Sequence, residues 1–221
     1  MCGIAGIFGW VGSDEKISQL SKKMRNSLHH RGPDGDGEWI SKEDTVLLFH
    51  NRLSVIDLSS AGNQPIQSSC GRYVMTYNGE FYNHLHIRKL LKSIKPGLTW
   101  RGSSDTETLI ECICAIGIRK TIAKLRGMFA LALYDKKEKK IYLARDRYGE
   151  KPLYYLRLKE GVYSFASEIG AFNNIPDFCP TIDLKAAAFF FKKGYIGAPL
   201  SIWKNVKKVM PGTIKTFFLD T

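Results

Sequence analysis

The chain has no cysteine framework. Its five cysteines, Cys2, Cys70, Cys112, Cys114 and Cys179, are odd in number and irregularly spaced, which argues against the paired bridges of a small disulfide-stapled secreted protein. Cys112-x-Cys114 is one residue short of Cys-x-x-Cys, and no matching ligand pair follows it, so a structural zinc site is not expected. No apolar run approaches the roughly 20 residues that a membrane-spanning helix needs. No basic segment leads into an apolar one at the N-terminus, as it would in a secretory signal. There is neither an internal repeat nor a low-complexity tract. Together these absences fit a reducing cytoplasm best.

What is there is an ordinary globular composition. The 221 residues are 44% hydrophobic and 24% charged, enough for one large domain or two small ones that bury about 70% of the unfolded surface. The formal charge is +12, which invites a nucleic-acid reading. The basic residues are dispersed, however. The run Lys136-Lys137-Glu138-Lys139-Lys140 lies between two alternating apolar stretches and reads as a solvated hairpin tip. The runs at 192–193 and 204–208 come without the stacking aromatics of an RNA-binding sheet. Neither nucleic acid nor membrane is an expected partner, and a basic surface facing an acidic partner domain accounts for the charge equally well.

Gly3–Phe8 is apolar throughout and reads as a strand buried on both faces. A helix follows, capped by Ser13, with Asp14 and Glu15 in its first turn and Ile17, Leu20, Met24 and Leu28 on one face. Residues 29–37 form a turn-rich loop, and strands are expected at 37–41, 45–50 and 72–78. A helix over 83–94 places Ile87, Leu90, Leu91 and Ile94 together, and another starts at Ser104-Asp105-Thr106-Glu107, which has the form of a capping box. Two hairpins follow, 128–134 with 140–144 and 153–158 with 161–166. A late helix spans about 183–193 and a last strand 213–219. Helices fall between groups of antiparallel strands without βαβ alternation, so the class is α+β, two mostly antiparallel sheets covered by helices.

Several segments carry chemistry of their own. Cys2 follows the initiator methionine. If Met1 is removed, one residue holds a thiol and an α-amine whose unperturbed pKa of about 7.7–8.0 lets it act as the base; the alternative is a small buried cysteine at a strand start. In His50-Asn51-Arg52-Leu53-Ser54-Val55-Ile56-Asp57 the arginine stands at a strand end, suited to bidentate recognition of a carboxylate or to a surface ion pair. Asn78-Gly79-Glu80 reads as a tight turn leaving a strand, or as an amide and an N–H that form an oxyanion hole. Asp105, at a helix start, is stabilised there by the helix dipole or holds a substrate ammonium. Arg31-Gly32-Pro33-Asp34 reads as a rigid turn with an ion pair, and the loop from Asp146 to Tyr155 as mainly structural.

Met1-Cys2-Gly3-Ile4, Arg31-Gly32-Pro33-Asp34, His50-x-Arg52-Leu53-Ser54, Tyr77-Asn78-Gly79-Glu80-x-Tyr82-Asn83, Ser104-Asp105-Thr106-Glu107 and Asp146-Arg147-x-Gly149-x-Lys151-Pro152-Leu153-Tyr154-Tyr155 occur in that order. Together they resemble the glutaminase domain of glutamine-hydrolysing asparagine synthetase, a class II amidotransferase with an N-terminal-nucleophile fold. The resemblance covers residues 1 to about 212. It departs at Tyr148, where the family usually has Phe, and at Thr213, where relatives often have His. It implies a four-layer αββα sandwich over 1–212, with 213–221 starting a linker to a C-terminal, ATP-dependent synthetase domain.

The resemblance also implies roles. Cys2 attacks the carboxamide of L-glutamine, its own α-amine moving the proton through a water. The Asn78 amide and the Gly79 N–H hold the oxyanion, and Arg52 takes the substrate α-carboxylate. Asp105 and Glu80, with backbone groups of Leu53, Val55 and Ile56, orient the ammonium and amide. Ammonia passes to the synthetase domain, where ATP and Mg serve the amidation of aspartate. The Ser-Gly-Gly-x-Asp-Ser type loop of that domain is absent from this sequence, so the chain itself is expected to need no cofactor. The expected setting is cytoplasmic and compatible with a homodimer. Three alternatives stay open: an amidotransferase domain for another acceptor, such as a surface-sugar carboxylate; a non-catalytic regulatory relative; and a Cys–His hydrolase using His50.

Overall fold

The computed structural model describes residues 1–219. Its strands are β1 (Gly3–Phe8), β2 (Gly35–Ser41), β3 (Val46–Arg52), β4 (Ile66–Gln67), β5 (Tyr73–Phe81), β6 (Gly127–Asp135), β7 (Lys140–Arg145), β8 (Tyr154–Lys159), β9 (Val162–Ala166), β10 (Val206–Lys208) and β11 (Ile214–Phe218). The helices are α1 (Asp14–Leu28), α2 (His84–Ile94), α3 (Asp105–Ile116), α4 (Ile118–Lys124) and α5 (Leu184–Lys193). One sheet has the order β10-β8-β9-β1-β3-β2 and the other β11-β7-β6-β5-β4, all pairings antiparallel.

The period-2 alternation of side chains builds the layers. In β1, Ile4 and Phe8 face the second sheet while Ala5 and Ile7 face α1; β3 divides likewise, Val46 and Leu48 against Leu47 and Phe49. In the second sheet Val74, Ala130, Ala132 and Tyr134 turn inward, and Tyr73, Met75, Leu131 and Leu133 turn to the helices. Each fully buried Phe, Leu or Ile removes enough apolar surface to contribute about 1.5–3 kcal/mol. Ile17, Leu20, Met24 and Leu28 of α1 cover the first sheet, and residues of α2 and α3 cover the second. The result is the expected order of helix, sheet, sheet, helix.

Most elements form where the sequence places them, Ser13 capping α1 through its bond from the Lys16 N–H. Four expectations need correction. Asn78-Gly79 is not a turn: β5 continues to Phe81, with Asn78 opposite Ala130 and Gly79 opposite Phe129. The capping box is half made. Ser104 Oγ accepts from the Thr106 N–H, but the Glu107 carboxylate accepts from the Arg101 and Gly102 N–H groups instead of returning to Ser104. Of the helix face expected over 83–94, Ile87 and Leu91 are buried but Ile94 is exposed. Finally, residues 214–218 pair with β7 as an edge strand, so this stretch belongs to the sheet although the boundary at 212 assigned it to a linker; Asp220 and Thr221 lie outside the described residues.

Candidate active site

Ends of three strands and the start of one helix converge on a cleft of about 210 Å³. Cys2 lies just before β1, Arg52 ends β3, Asn78, Gly79 and Glu80 belong to β5, and Asp105 opens α3. All six line the cleft, as do Leu53, Val55 and Ile56. The nine residues singled out in the sequence are therefore brought together, from segments up to about a hundred residues apart.

Cys2 is held by backbone on both sides. Its Sγ lies 3.3 Å from the Leu53 N–H, which donates to it, and 3.6 Å from the Leu53 carbonyl. Burial pushes the thiol pKa up, only partly opposed by the Leu53 N–H, the chain-terminal amine, Arg52 and Lys151. The thiol is thus protonated near neutrality, and nucleophilic work requires a base. Arg31 fixes the segment: its Nε donates to the Cys2 carbonyl at 3.1 Å while Nη1 pairs with Glu168 at 2.6 Å. Gly32 packs on β3 so closely that a Cβ would lie 2.4 Å from the Asn51 carbonyl, and the Asp34 carboxylate accepts from the Ser54 N–H at 2.8 Å. The Arg-Gly-Pro-Asp turn is architecture, as expected, and what it positions is the thiol.

The Asn78 side chain is buried, and its Nδ2 has no hydrogen-bond partner among the described residues. A buried unsatisfied donor costs about 1–3 kcal/mol, and native structures keep few of them without reason. Gly79 has a steric cause: a Cβ there would stand 2.5 Å from the Met128 carbonyl and 2.7 Å from Phe129 Cα. The Asn-Gly pair thus sits at a close strand pairing, and Asn78 lines the cleft that contains the Cys2 thiol.

Asp105 is buried, and burial raises its carboxyl pKa against the opposing pull of the Phe81 N–H and the Tyr77 hydroxyl. Both donate to the same oxygen, Oδ2, at 3.1 Å. A carboxylate held in this way gains most from a cation entering the cleft. Arg52 spends three of its donors on the loop at 57–63: Nη1 reaches the Ser59 carbonyl at 2.9 Å and Asn63 Oδ1 at 2.8 Å, and Nη2 reaches the Asp57 carbonyl. A guanidinium has five N–H groups, so two remain for a ligand. Asp57 ties this loop to the residues before α3 by accepting from the Ser103 N–H at 2.9 Å, and bonds from Ser59 bring its pKa down to about 2.

Three contributors escaped the sequence reading. Lys151, in the loop expected to be mainly structural, is buried, lines the cleft and places Nζ 3.2 Å from Met1 Sδ. That loop is wound on Asp146, which accepts from the N–H groups of Tyr148, Glu150 and Lys151. Gln64 brackets Tyr77, accepting from its N–H at 2.7 Å and donating to its carbonyl at 3.1 Å, and so fixes the strand beside Asn78. Tyr77 itself supports Asp105. Lys151 and Tyr77 both lay inside quoted motifs, a lysine in a stretch otherwise built for winding and a tyrosine beside Asn78, whereas Gln64 carried no signal. His50 is buried with Nε2 3.3 Å from the Tyr77 carbonyl, and burial lowers its pKa to about 3. It does not line the cleft, which removes the ground for a Cys–His pair.

A sequence model of the glutamine amidotransferase domain matches residues 1–220. The chain is 34% identical to asparagine synthetase [glutamine-hydrolyzing] 1 of Bacillus subtilis, over 99% of this chain and 35% of that protein. It is 31% identical to putative asparagine synthetase [glutamine-hydrolyzing] 2 of Methanocaldococcus jannaschii, over 100% of this chain and 44% of that protein. A third relative, 35% identical over 81% of this chain and 28% of its own length, is amidase chry2 of Gibberella zeae. The chain thus spans less than half the length of these relatives. In fold it is similar to glutamine phosphoribosylpyrophosphate amidotransferase of B. subtilis, with a TM-score of 0.64 at 18% identity over 99% of this chain and 49% of that one.

Proposed function

The chain belongs to the glutamine amidotransferase domain family, and on that premise we propose that it hydrolyses L-glutamine to glutamate and ammonia through a thioester on Cys2. The observation that carries this reading is the buried Asn78 amide, without a partner among the described residues, on a residue that lines the same cleft as Cys2. A donor left unpaired in the resting protein is free to meet an oxyanion that exists only during reaction, and stabilisation confined to that state is what accelerates chemistry.

The steps follow from the groups in place. Two Arg52 N–H groups take the substrate α-carboxylate, and Asp105, with Glu80 beside it, takes the α-ammonium. The thiol needs a base, and removal of Met1 supplies one by making the Cys2 nitrogen a free amine. That amine, through a water, accepts the thiol proton as sulfur attacks the carboxamide carbon. The oxygen of the tetrahedral intermediate becomes negative and is held by Asn78 Nδ2 and the Gly79 N–H. Collapse breaks the C–N bond, the same proton goes to the departing ammonia, and water then hydrolyses the γ-glutamyl thioester.

We further propose that the ammonia serves a C-terminal synthetase domain that uses ATP and Mg to amidate aspartate, the pairing suggested by the names and greater length of the relatives. In a second reading the acceptor is another carboxylate, and one relative is named an amidase instead of an asparagine synthetase; the cleft chemistry is the same in both. The setting proposed is the cytoplasm, and no helix among the described residues is long and apolar enough to cross a membrane.

The test uses protein whose intact mass shows loss of Met1. Such protein is expected to release glutamate from glutamine, and a diazoketone analogue of glutamine is expected to label Cys2 covalently. Cys2→Ala abolishes both, and chain retaining Met1 is inactive. Absence of both glutamate release and labelling in the processed chain refutes the proposal.

A further inference from the structure

Outside the cleft, two of the remaining cysteines meet. Cys70 lies in the connection between β4 and β5, Cys114 in the last turns of α3, 44 residues further on. Their sulfurs are 2.6 Å apart, only about half an ångström beyond a covalent S–S bond. The approach is built by neighbouring contacts. Ser69 donates both its N–H and its hydroxyl to the two oxygens of Glu111 at 2.6 Å each. Glu111 stands three residues before Cys114 and so on the same helix face. Lys95 bridges the group, its Nζ 3.0 Å from Ser69 Oγ, 3.2 Å from Glu111 and 4.0 Å from Cys114 Sγ. The loop is thus pinned to α3 one residue from one sulfur and one turn from the other.

We propose that Cys70 and Cys114 form a redox-active dithiol that takes a low-molecular-weight disulfide as oxidant and closes an intramolecular disulfide between α3 and the β4–β5 connection. Cys70 is exposed and Cys114 half-buried, which orders the steps. The Cys70 thiol, 3.3 Å from Ser68 Oγ and facing the Cys114 S–H, loses its proton. The resulting thiolate attacks one sulfur of the small disulfide and releases one small thiol. Cys114 then gives up its proton, attacks Cys70 Sγ in the mixed disulfide and releases the second. The two protein sulfurs are oxidised by two electrons, and one small disulfide is reduced to two thiols. Cys70 has its pKa lowered: the Cys114 and Ser68 hydrogen bonds and the Arg72 N–H outweigh burial, which acts the other way and is the largest single influence. Cys114 is pushed up to about 11, by burial first and then by Cys70, so Cys70 is the attacking sulfur and Cys114 the resolving one.

Neither Cys70 nor Cys114 lines the cleft. Cys112, on the same helix, is fully buried and bonded to Thr121, and so does not compete. The reduced full chain is exposed to oxidised glutathione, its free thiols are alkylated, and the non-reduced digest is examined by mass spectrometry. The expected result is a peptide pair joined at Cys70 and Cys114, lighter by two hydrogens than the reduced peptides. Closing a loop of this length is expected to raise Tm by about 8–16 °C, a gain reversed by dithiothreitol. Cys114→Ser is expected to leave glutathione on Cys70 with no gain in Tm, and Cys70→Ser to leave Cys114 unlinked. Recovery of wild-type Cys70 carrying glutathione while Cys114 is alkylated overturns the proposal. So does recovery of both as alkylated thiols, or an equal gain in Tm in either serine variant.

Discussion

Asn78→Ala separates a catalytic donor from a structural one, because the two roles move stability and rate differently. The substitution removes a buried Nδ2 that has no partner among the described residues, which relieves about 1–3 kcal/mol of unsatisfied desolvation. It also leaves a void the size of a carboxamide. At about 24 cal/mol per Å³ such a void costs on the order of 1 kcal/mol. The net is a gain of about 0–2 kcal/mol, and at about 2–4 °C per kcal/mol for a domain of this size Tm is expected to rise by no more than about 8 °C and not to fall. The rate behaves otherwise. Loss of one oxyanion donor costs about 2.7–4 kcal/mol of transition-state stabilisation, or 10²–10³ in kcat, and KM is little changed because the amide meets no charge in the ground state. Glutamate release from Met1-processed chain and a thermal melt of the same preparation give both numbers. A variant within threefold of wild-type kcat refutes the assignment. A variant that loses more than about 10 °C in Tm shows that the amide was holding the fold.

Two further substitutions probe the neighbours of that amide. Gly79→Ala puts a methyl 2.5 Å from the Met128 carbonyl and must push β5 from β6. A Tm lowered by the equivalent of about 1–3 kcal/mol is expected, and an unchanged melt would show that the crossing is not tight. Asp105→Asn keeps an oxygen for both Tyr77 and Phe81, since the two bond the same atom, but removes the charge that burial disfavours. A raised carboxyl pKa means that the folded state binds the proton more tightly than the unfolded one. Its stabilising effect is therefore complete below the ordinary aspartate pKa and is lost as pH rises through the folded value. Asp105→Asn is expected to melt higher than wild type at pH 8, to match it near pH 3.5, and to lose saturation by glutamine. Parallel melting curves across that pH range, or an unchanged KM, refute the reading.

Much of the sheet framework was legible because a strand buried on both faces leaves an unbroken apolar run. Gly3–Phe8 and the hairpin at β6 and β7 could hardly be read otherwise. The short elements were not legible. β4 has two residues, β10 three and α4 seven, too few to show a period, and each is stabilised by what it packs against. Asn78-Gly79 was misread as a turn for a related reason. The pair has strong local turn preference, but here the pairing of β5 with β6 overrides it, and the glycine answers to a carbonyl on a strand about fifty residues away. Glu107 was assigned to the cap of its own helix and instead serves the chain before it.

The sequence alone determined which chemistry is on offer. A cysteine behind the initiator, an arginine at a strand end, an Asn-Gly pair and a helix-opening aspartate are all local facts, and their order carries the family resemblance. Tertiary structure alone decided the state in which those groups stand. Among the described residues it leaves the Asn78 amide unpaired, raises the Asp105 carboxyl by burial, leaves Arg52 two N–H groups after the 57–63 loop takes three, and turns Lys151 from a loop residue into a wall of the cleft. It also sets Cys70 against Cys114, which irregular cysteine spacing had hidden. The physical reason is the same in each case. Residue type is a property of one position, whereas desolvation, hydrogen-bond satisfaction and contact depend on atoms brought from distant parts of the chain.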